Sequence, residues 1–369
     1  MTTVASFEVR YSRFLDLEGR AVAALPDFAA TPEELVSMYR AMVLTRQFDA
    51  KAVALQRTGR MGTYPSSLGQ EAVGVGLAAA MRESDVLVPS YRETAAMLWR
   101  GVTPVEILLY WGGDERGSDY AGPREDFPVS VPVGTHPLHA VGVAYAFRLR
   151  REARAAVAVF GDGASSKGDV YEALNFAGAW RLPVVFVAVN NQWAISVPRA
   201  RQTAAETIAQ KAIAAGIAGE QIDGNDVIAV RHAVSAALEK AYSGGGPTLI
   251  EALTYRMTDH TTADDASRYR PPEEVSAHWR EDPIARLRAY LTENAAWSKE
   301  NEEAMIATLD AEIEAAVSTY EATPPQPVGA IFDHLFAELP AALAGQRAAA
   351  VAGAAEAAEA RQVAEAGDD

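Results

Sequence analysis

The chain has 369 residues, 49% hydrophobic and 22% charged, enough for one large buried core with additions. Its net charge of −16, from 33 basic and 49 acidic residues, argues against nucleic acid as a general partner, and without cysteine there is no disulfide, thiolate metal site or thiol nucleophile. No uninterrupted apolar run approaches the roughly eighteen residues of a membrane span. A start mixing Glu8, Arg10, Arg13, Asp16 and Glu18 with apolar residues lacks a signal-peptide core, so no membrane is expected and cytoplasm is the default.

Residues 1–30 show no period and are expected to be an irregular extension lying on a partner or in solvent. Thr31 with Glu34 three positions on is a capping-box pattern, which predicts a helix through Met38 and Met42 toward Ala54. Residues 59–68 read as loop, and Gln70 to Met81 as a small-residue helix able to pack closely. Residues 112–132, rich in Gly, Pro and charge, predict a long loop, commonly a functional one in a compact domain. Ala155 to Phe160 and Pro183 to Val189 are short β-rich apolar runs, the pattern of strands covered on both faces. Between them lie a Gly-rich turn and a helix from about Asp169 to Trp180.

Further on, Asn225-Asp226 caps a helix from Val227 to about Tyr242, Gly244-Gly245-Gly246-Pro247 stops it, and Thr248 to Tyr255 reads as another buried strand. The polar stretch 258–273 has no apolar period, and its Thr258 to Arg270 part is expected to be mobile until a ligand binds. Amphipathic helices follow, from about Pro283 to Glu293 and from Asn301 to Tyr320. Thr323 to Val328 marks a boundary, and beyond Leu343 an Ala- and Glu-rich tail is helical by propensity. The expected organisation is α/β, a mostly parallel sheet flanked by helices, with an extension (1–30), a main domain with C-terminal helices (31–325) and a terminal segment (326–369).

Chemistry concentrates where the two central strands end. Asp162, in Phe160-Gly161-Asp162-Gly163, and Asn191, in Asn190-Asn191-Gln192-Trp193, each follow an apolar run and so fall at the carboxyl ends of neighbouring parallel strands, where open α/β sheets bind ligands. A carboxylate, an amide oxygen and a nearby backbone carbonyl are hard ligands suited to Mg²⁺ shared with a diphosphate. Either motif alone is more often a plain turn; the pair in this context is not. Tyr91-Arg92, after a short apolar run, offers a guanidinium fork and a phenol that can grip phosphate oxygens. Of six histidines, His232 and His278 fall on surface helices, while His136 and His139 at i, i+3 lack an evident third ligand for a metal. His260 opens a loop dense in Thr, Asp and Arg, where an imidazole can move protons near neutral pH.

The stretches 59–71, 88–93, 130–134, 161–168, 190–196, 202–203, 223–227 and 260–270, in that order, resemble the thiamin diphosphate fingerprint in the setting of the α subunit of the E1 component of 2-oxo acid dehydrogenase complexes. The resemblance implies a thiamin diphosphate-binding fold and oxidative decarboxylation of a 2-oxo acid with acyl transfer to a lipoyl group. It assigns Mg²⁺ to Asp162, Asn191 and the Trp193 carbonyl, and the diphosphate to Tyr91, Arg92, Gly161, Gly163 and Ala164. Val131 and Val133 match positions lining the aminopyrimidine, although Val131 departs from the usual Gly or Ser. His260 would lie near the reactive carbon, Tyr64 in the substrate pocket, and Ser130 and Thr135 at a structural monovalent-cation loop. The carboxylate that activates the ring comes, in that family, from a β subunit, which implies an α₂β₂ assembly serving a lipoyl-bearing E2 acyltransferase.

Similarity favours pyruvate over 3-methyl-2-oxobutanoate as substrate. Thr261 and Thr262 stand where animal relatives carry a phosphorylated Ser, and no phosphorylation is predicted. Two other classes are weighed: a free-standing nicotinamide dehydrogenase, which lacks its Gly-x-Gly-x-x-Gly here, and a non-catalytic assembly subunit, which would need no cofactor.

Overall fold

The computed structural model describes residues 1–295 and 297–366, the side chains of 361–366 aside. They form two compact units, Met1–Tyr320 and the chain from Glu321 onward. The strands are β1 (Tyr11–Ser12), β2 (Val86–Val88), β3 (Ala156–Gly161), β4 (Val184–Asn190), β5 (Trp193–Ala194), β6 (Val197–Pro198), β7 (Ala218–Asp223) and β8 (Thr248–Leu253). The helices are α1 (Pro32–Arg57), α2 (Glu71–Ala80), α3 (Thr94–Trp99), α4 (Pro104–Trp111), α5 (His136–Arg150), α6 (Gly168–Trp180), α7 (Lys211–Ala214), α8 (Val227–Tyr242), α9 (Pro272–His278), α10 (Pro283–Asn294), α11 (Lys299–Ala322), α12 (Ala330–Asp333) and α13 (Ala341–Ala366). Among the described residues no helix is long and apolar enough to cross a membrane.

Six strands make one sheet in the order β1-β7-β8-β4-β3-β2, and every neighbouring pair is parallel. Alternation along β3 and β4 divides the core. Ala156, Ala158, Phe160, Phe186 and Ala188 face α5 and α6, while Val157, Val159, Val185 and Val187 face α2 and α8. A third cluster packs α1 against α10 and α11. Close packing of α2 rests on its glycines: a Cβ on Gly74 would stand 2.6 Å from the Ala95 Cβ, and one on Gly76 2.7 Å from Val230.

Several expectations are revised. The N-terminal extension is in part an element of the sheet: Tyr11–Ser12 pairs with Gln221–Ile222 as an edge strand. What fixes it is Asp226, whose Oδ2 accepts the Phe14 and Leu15 amides at 2.7 and 2.8 Å while Oδ1 caps α8 through the Ile228 and Ala229 amides. Thr31 makes no side-chain cap, and Glu34 instead pairs with Arg231 at 2.5 Å. The reciprocal capping box lies at Thr103 and Glu106, opening a helix that the sequence reading did not foresee. β7, Ala-Gly-Glu-Gln-Ile-Asp, was also missed, having neither an apolar run nor alternation. The 258–270 segment is held by its own hydrogen bonds: Asp264 accepts the His260 amide at 2.9 Å, Asp259 the Ala266 amide at 3.0 Å, and the Thr258 carbonyl accepts from Arg270 at 2.9 Å.

Candidate active site

β3 and β4 run in register to their ends, Gly161 opposite Val189, so the residues that follow them lie side by side at the carboxyl edge of the sheet. Asp162 begins a 3-10 turn, Asp162–Ser166, and Asn191 begins the reversal into the β5–β6 hairpin. That reversal is tight: Gln192 (φ 72°) and Ile195 (φ 55°) hold left-handed conformations that non-glycine residues seldom adopt. Gly163 lets the turn and the hairpin touch, since a Cβ there would come within 2.6 Å of the Ala194 Cβ.

A cavity of ≈ 200 Å³ opens at this point. The sequence-named residues Tyr91, Arg92, Val133, Gly161, Asp162, Gly163, Ala164, Asn191, Trp193 and His260 all line it. Two do not. Val131 is half exposed, and Tyr64 is fully buried with its hydroxyl turned to Asp49 at 3.2 Å. Gln70, Ser90, Glu93 and Ile195 line the cavity without having been singled out. Each had a signal, since Gln70 stands within 59–71, Ser90 and Glu93 within 88–93 and Ile195 within 190–196, the stretches that carry the resemblance.

Asp162 is 3% exposed and bonds the Gln202 amide at 2.7 Å, and among the described residues no Lys or Arg is paired with it. Burial pushes its carboxyl up to about 6. The Asn191 amide is oriented: its Oδ1 accepts the Trp193 amide at 3.3 Å and its Nδ2 donates to Gln70 Oε1 at 3.2 Å. The Trp193 carbonyl accepts from Arg256 at 3.3 Å, which leaves it a second lone pair. A buried carboxylate without a cation, beside two fixed oxygens, is a donor set that a small divalent ion would neutralise, so these residues fit Mg²⁺. At the two residues named for a monovalent-cation loop, the Ser130 carbonyl accepts from His136 Nε2 at 2.7 Å and the Thr135 hydroxyl bonds His139 Nε2 at 3.1 Å.

Arg92 is buried and donates to the Ser66 carbonyl at 2.7 Å, to the His260 carbonyl at 2.6 Å and to His260 Nδ1 at 2.9 Å. A guanidinium cannot accept, so Nδ1 is the acceptor and the imidazole proton resides on Nε2. Burial, with the positive charges of Arg92 and Arg256, takes His260 down to about 4, so the ring is neutral at physiological pH. Tyr91 meets the same ring edge-on at 6.0 Å. Burial also raises Glu93 to about 7, giving the cavity wall a second carboxyl that holds a proton readily.

The family model described as dehydrogenase E1 component matches residues 39–328. The 3-methyl-2-oxobutanoate dehydrogenase subunit alpha of Mycobacterium tuberculosis is 45% identical over 320 residues, 86% of each chain. The pyruvate dehydrogenase E1 component subunit alpha of Staphylococcus aureus is 38% identical over 347 residues, 93% of each chain, and that of Staphylococcus epidermidis is equally similar. Since both the model and these relatives span most of the chain, and the cavity lies where the motifs place it, the chain belongs to the dehydrogenase E1 component family and is similar throughout to its α subunits.

Proposed function

We propose that this chain is the E1 α subunit of a branched-chain 2-oxo acid dehydrogenase complex, holding the diphosphate end of thiamin diphosphate through Mg²⁺. The observation that carries the reading is the oriented oxygen set of Asp162, Asn191 and Trp193 at the carboxyl edge of a parallel sheet, with Arg92 and His260 across the cavity. Asp162, Asn191 and the Trp193 carbonyl would hold the metal, and Tyr91, Arg92 and the Gly161–Ala164 turn the phosphates. When bound, thiamin diphosphate supplies the electron sink that decarboxylation of a 2-oxo acid requires. The chain's own part is to bind and orient. The buried apolar wall of Phe160 and Val189 excludes water, and His260, neutral with its proton on Nε2, presents a hydrogen-bond donor to an oxygen on the ligand.

Val133 and Ile195, which line the cavity, are 43% and 53% exposed, and Val197, paired with the cavity-lining Ala194, is exposed as well. Such a rim suits cover by a second subunit, here E1β, which would complete an α₂β₂ site that delivers the acyl group to a lipoyl-bearing E2. The branched-chain substrate replaces the pyruvate preference because identity is higher to the 3-methyl-2-oxobutanoate enzyme, 45% against 38%. Discrimination between these acids is worth only about 1–3 kcal/mol, so it is settled by assay. Co-purified α and β chains should reduce an electron acceptor only with 2-oxo acid, thiamin diphosphate and Mg²⁺ together, with higher kcat/KM for 3-methyl-2-oxobutanoate than for pyruvate. Cofactor-independent turnover would refute the site, and a pyruvate preference would refute the substrate.

A further inference from the structure

Behind Arg92 and His260 lies a buried carboxylate that does not line the cavity. Asp49, 4% exposed on α1, accepts four hydrogen bonds: Tyr64 hydroxyl at 3.2 Å, Ser66 hydroxyl at 2.5 Å, Ser67 amide at 2.7 Å and Ser67 hydroxyl at 3.2 Å. Three of them converge on Oδ1 and the fourth holds Oδ2, so both carboxylate oxygens are engaged by this one segment. All four donors come from one irregular segment, residues 64–67, which is thereby fastened to a 26-residue helix.

The other side of that segment carries the active-site loop. The Tyr64 amide donates to Thr262 Oγ1 at 3.0 Å and the Thr262 amide donates to the Tyr64 carbonyl at 2.9 Å, a reciprocal clamp two residues from His260. The Ser66 carbonyl takes one nitrogen of Arg92, whose other nitrogen holds the carbonyl and Nδ1 of His260. Two routes to His260, one through the loop backbone and one through the guanidinium, therefore start from the same carboxylate. Unpaired, Asp49 would be costly to bury; engaged by four donors it makes the segment a rigid support.

We propose that Asp49 is a positioning residue for His260, fixing through residues 64–67 both the seat of the 258–270 loop and the Arg92 contact that turns the His260 Nε2–H toward the ligand. The proposal rests on the reading of His260 as an active-site residue. It also gives Tyr64, which lies off the cavity, a part in supporting it.

The test uses the α₂β₂ complex carrying Asp49→Asn, which keeps the volume and one acceptor oxygen but puts a donor against donors. Arg268 has an 81% exposed side chain inside the loop, so tryptic cleavage after it, followed by mass spectrometry, reports loop release directly. Expected are cleavage about fivefold faster than in wild type, and a kcat lowered about 10- to 100-fold with a smaller change in KM. Thr262→Val cuts the clamp on the loop side with Asp49 intact, and should move both readouts the same way even if Asp49→Asn folds poorly. Folded Asp49→Asn with wild-type kcat and cleavage rate, or Thr262→Val with neither changed, would overturn the proposal. Wild-type complex without cofactor-dependent turnover would sink the functional reading instead, while the cleavage rates would still decide whether Asp49 seats the loop.

Discussion

Asp162→Asn should stabilise the cofactor-free protein and abolish its response to cofactor. The wild-type carboxyl is raised from 3.8 to about 6 because burial outweighs the hydrogen bonds from the Gln202 amide and the turn backbone and the more distant charge of Arg256. At about 1.4 kcal/mol per unit, this corresponds to about 3 kcal/mol of penalty on the ionised form. The sign follows from linkage: the folded state binds this proton more tightly than the unfolded, so the penalty is absent below 3.8, grows as pH rises toward 6 and is constant above it. An Asn at this position keeps an oxygen for Gln202 and carries no charge. Cofactor-free variant at pH 7.5 should therefore be about 2–3 kcal/mol more stable than wild type in chemical denaturation, with roughly half of that gap left at pH 5. Adding thiamin diphosphate and Mg²⁺ should raise the wild-type midpoint and leave the variant unmoved, reversing their order. A variant less stable than wild type without cofactor, or a gap independent of pH, would refute the reasoning.

The same titration predicts that Mg²⁺-dependent cofactor affinity, measured by calorimetry, falls about tenfold per pH unit below about 6 and is flat above, because the metal must displace the Asp162 proton; a flat profile down to pH 5 would contradict it. Gly163→Ala would place a Cβ 2.6 Å from that of Ala194, forcing the turn and the β5–β6 hairpin apart. It should cost about 1–3 kcal/mol and weaken cofactor binding, and wild-type affinity by fluorescence titration would count against it. Asp226→Ala removes the α8 cap and leaves the Phe14 and Leu15 amides without their acceptor. A loss of about 2–4 kcal/mol is expected in denaturation, with faster proteolysis near Arg13; unchanged cleavage there would show that the extension is held by other contacts.

Much was legible because it is local. Strands covered on both faces announce themselves as apolar runs, as at β3 and β4, and a cap-plus-stop pattern located α8, Val227–Tyr242. Asp162 and Asn191 could be named because parallel strands in register put the residues after them side by side. Where a local signal was shared by many conformations, it misled. Thr31 and Glu34 make a capping-box pattern, yet Glu34 finds Arg231, nearly two hundred residues away, and no local rule anticipates that competitor.

The fold class, the central βαβ unit and most of the cavity residues can be read along the chain, because hydrophobic period, turn chemistry and motif spacing act within a few tens of residues. What those residues face depends on partners that folding brings to them. The neutral state and tautomer of His260 come from Arg92, 168 positions away in sequence. Tyr64 lies outside the cavity because Asp49 draws its hydroxyl inward, and the N-terminal segment joins the sheet because Asp226 has a spare oxygen for its amides. Hydrogen-bond direction, burial and charge at a site are sums over neighbours brought together by folding, and sequence separation carries no record of them.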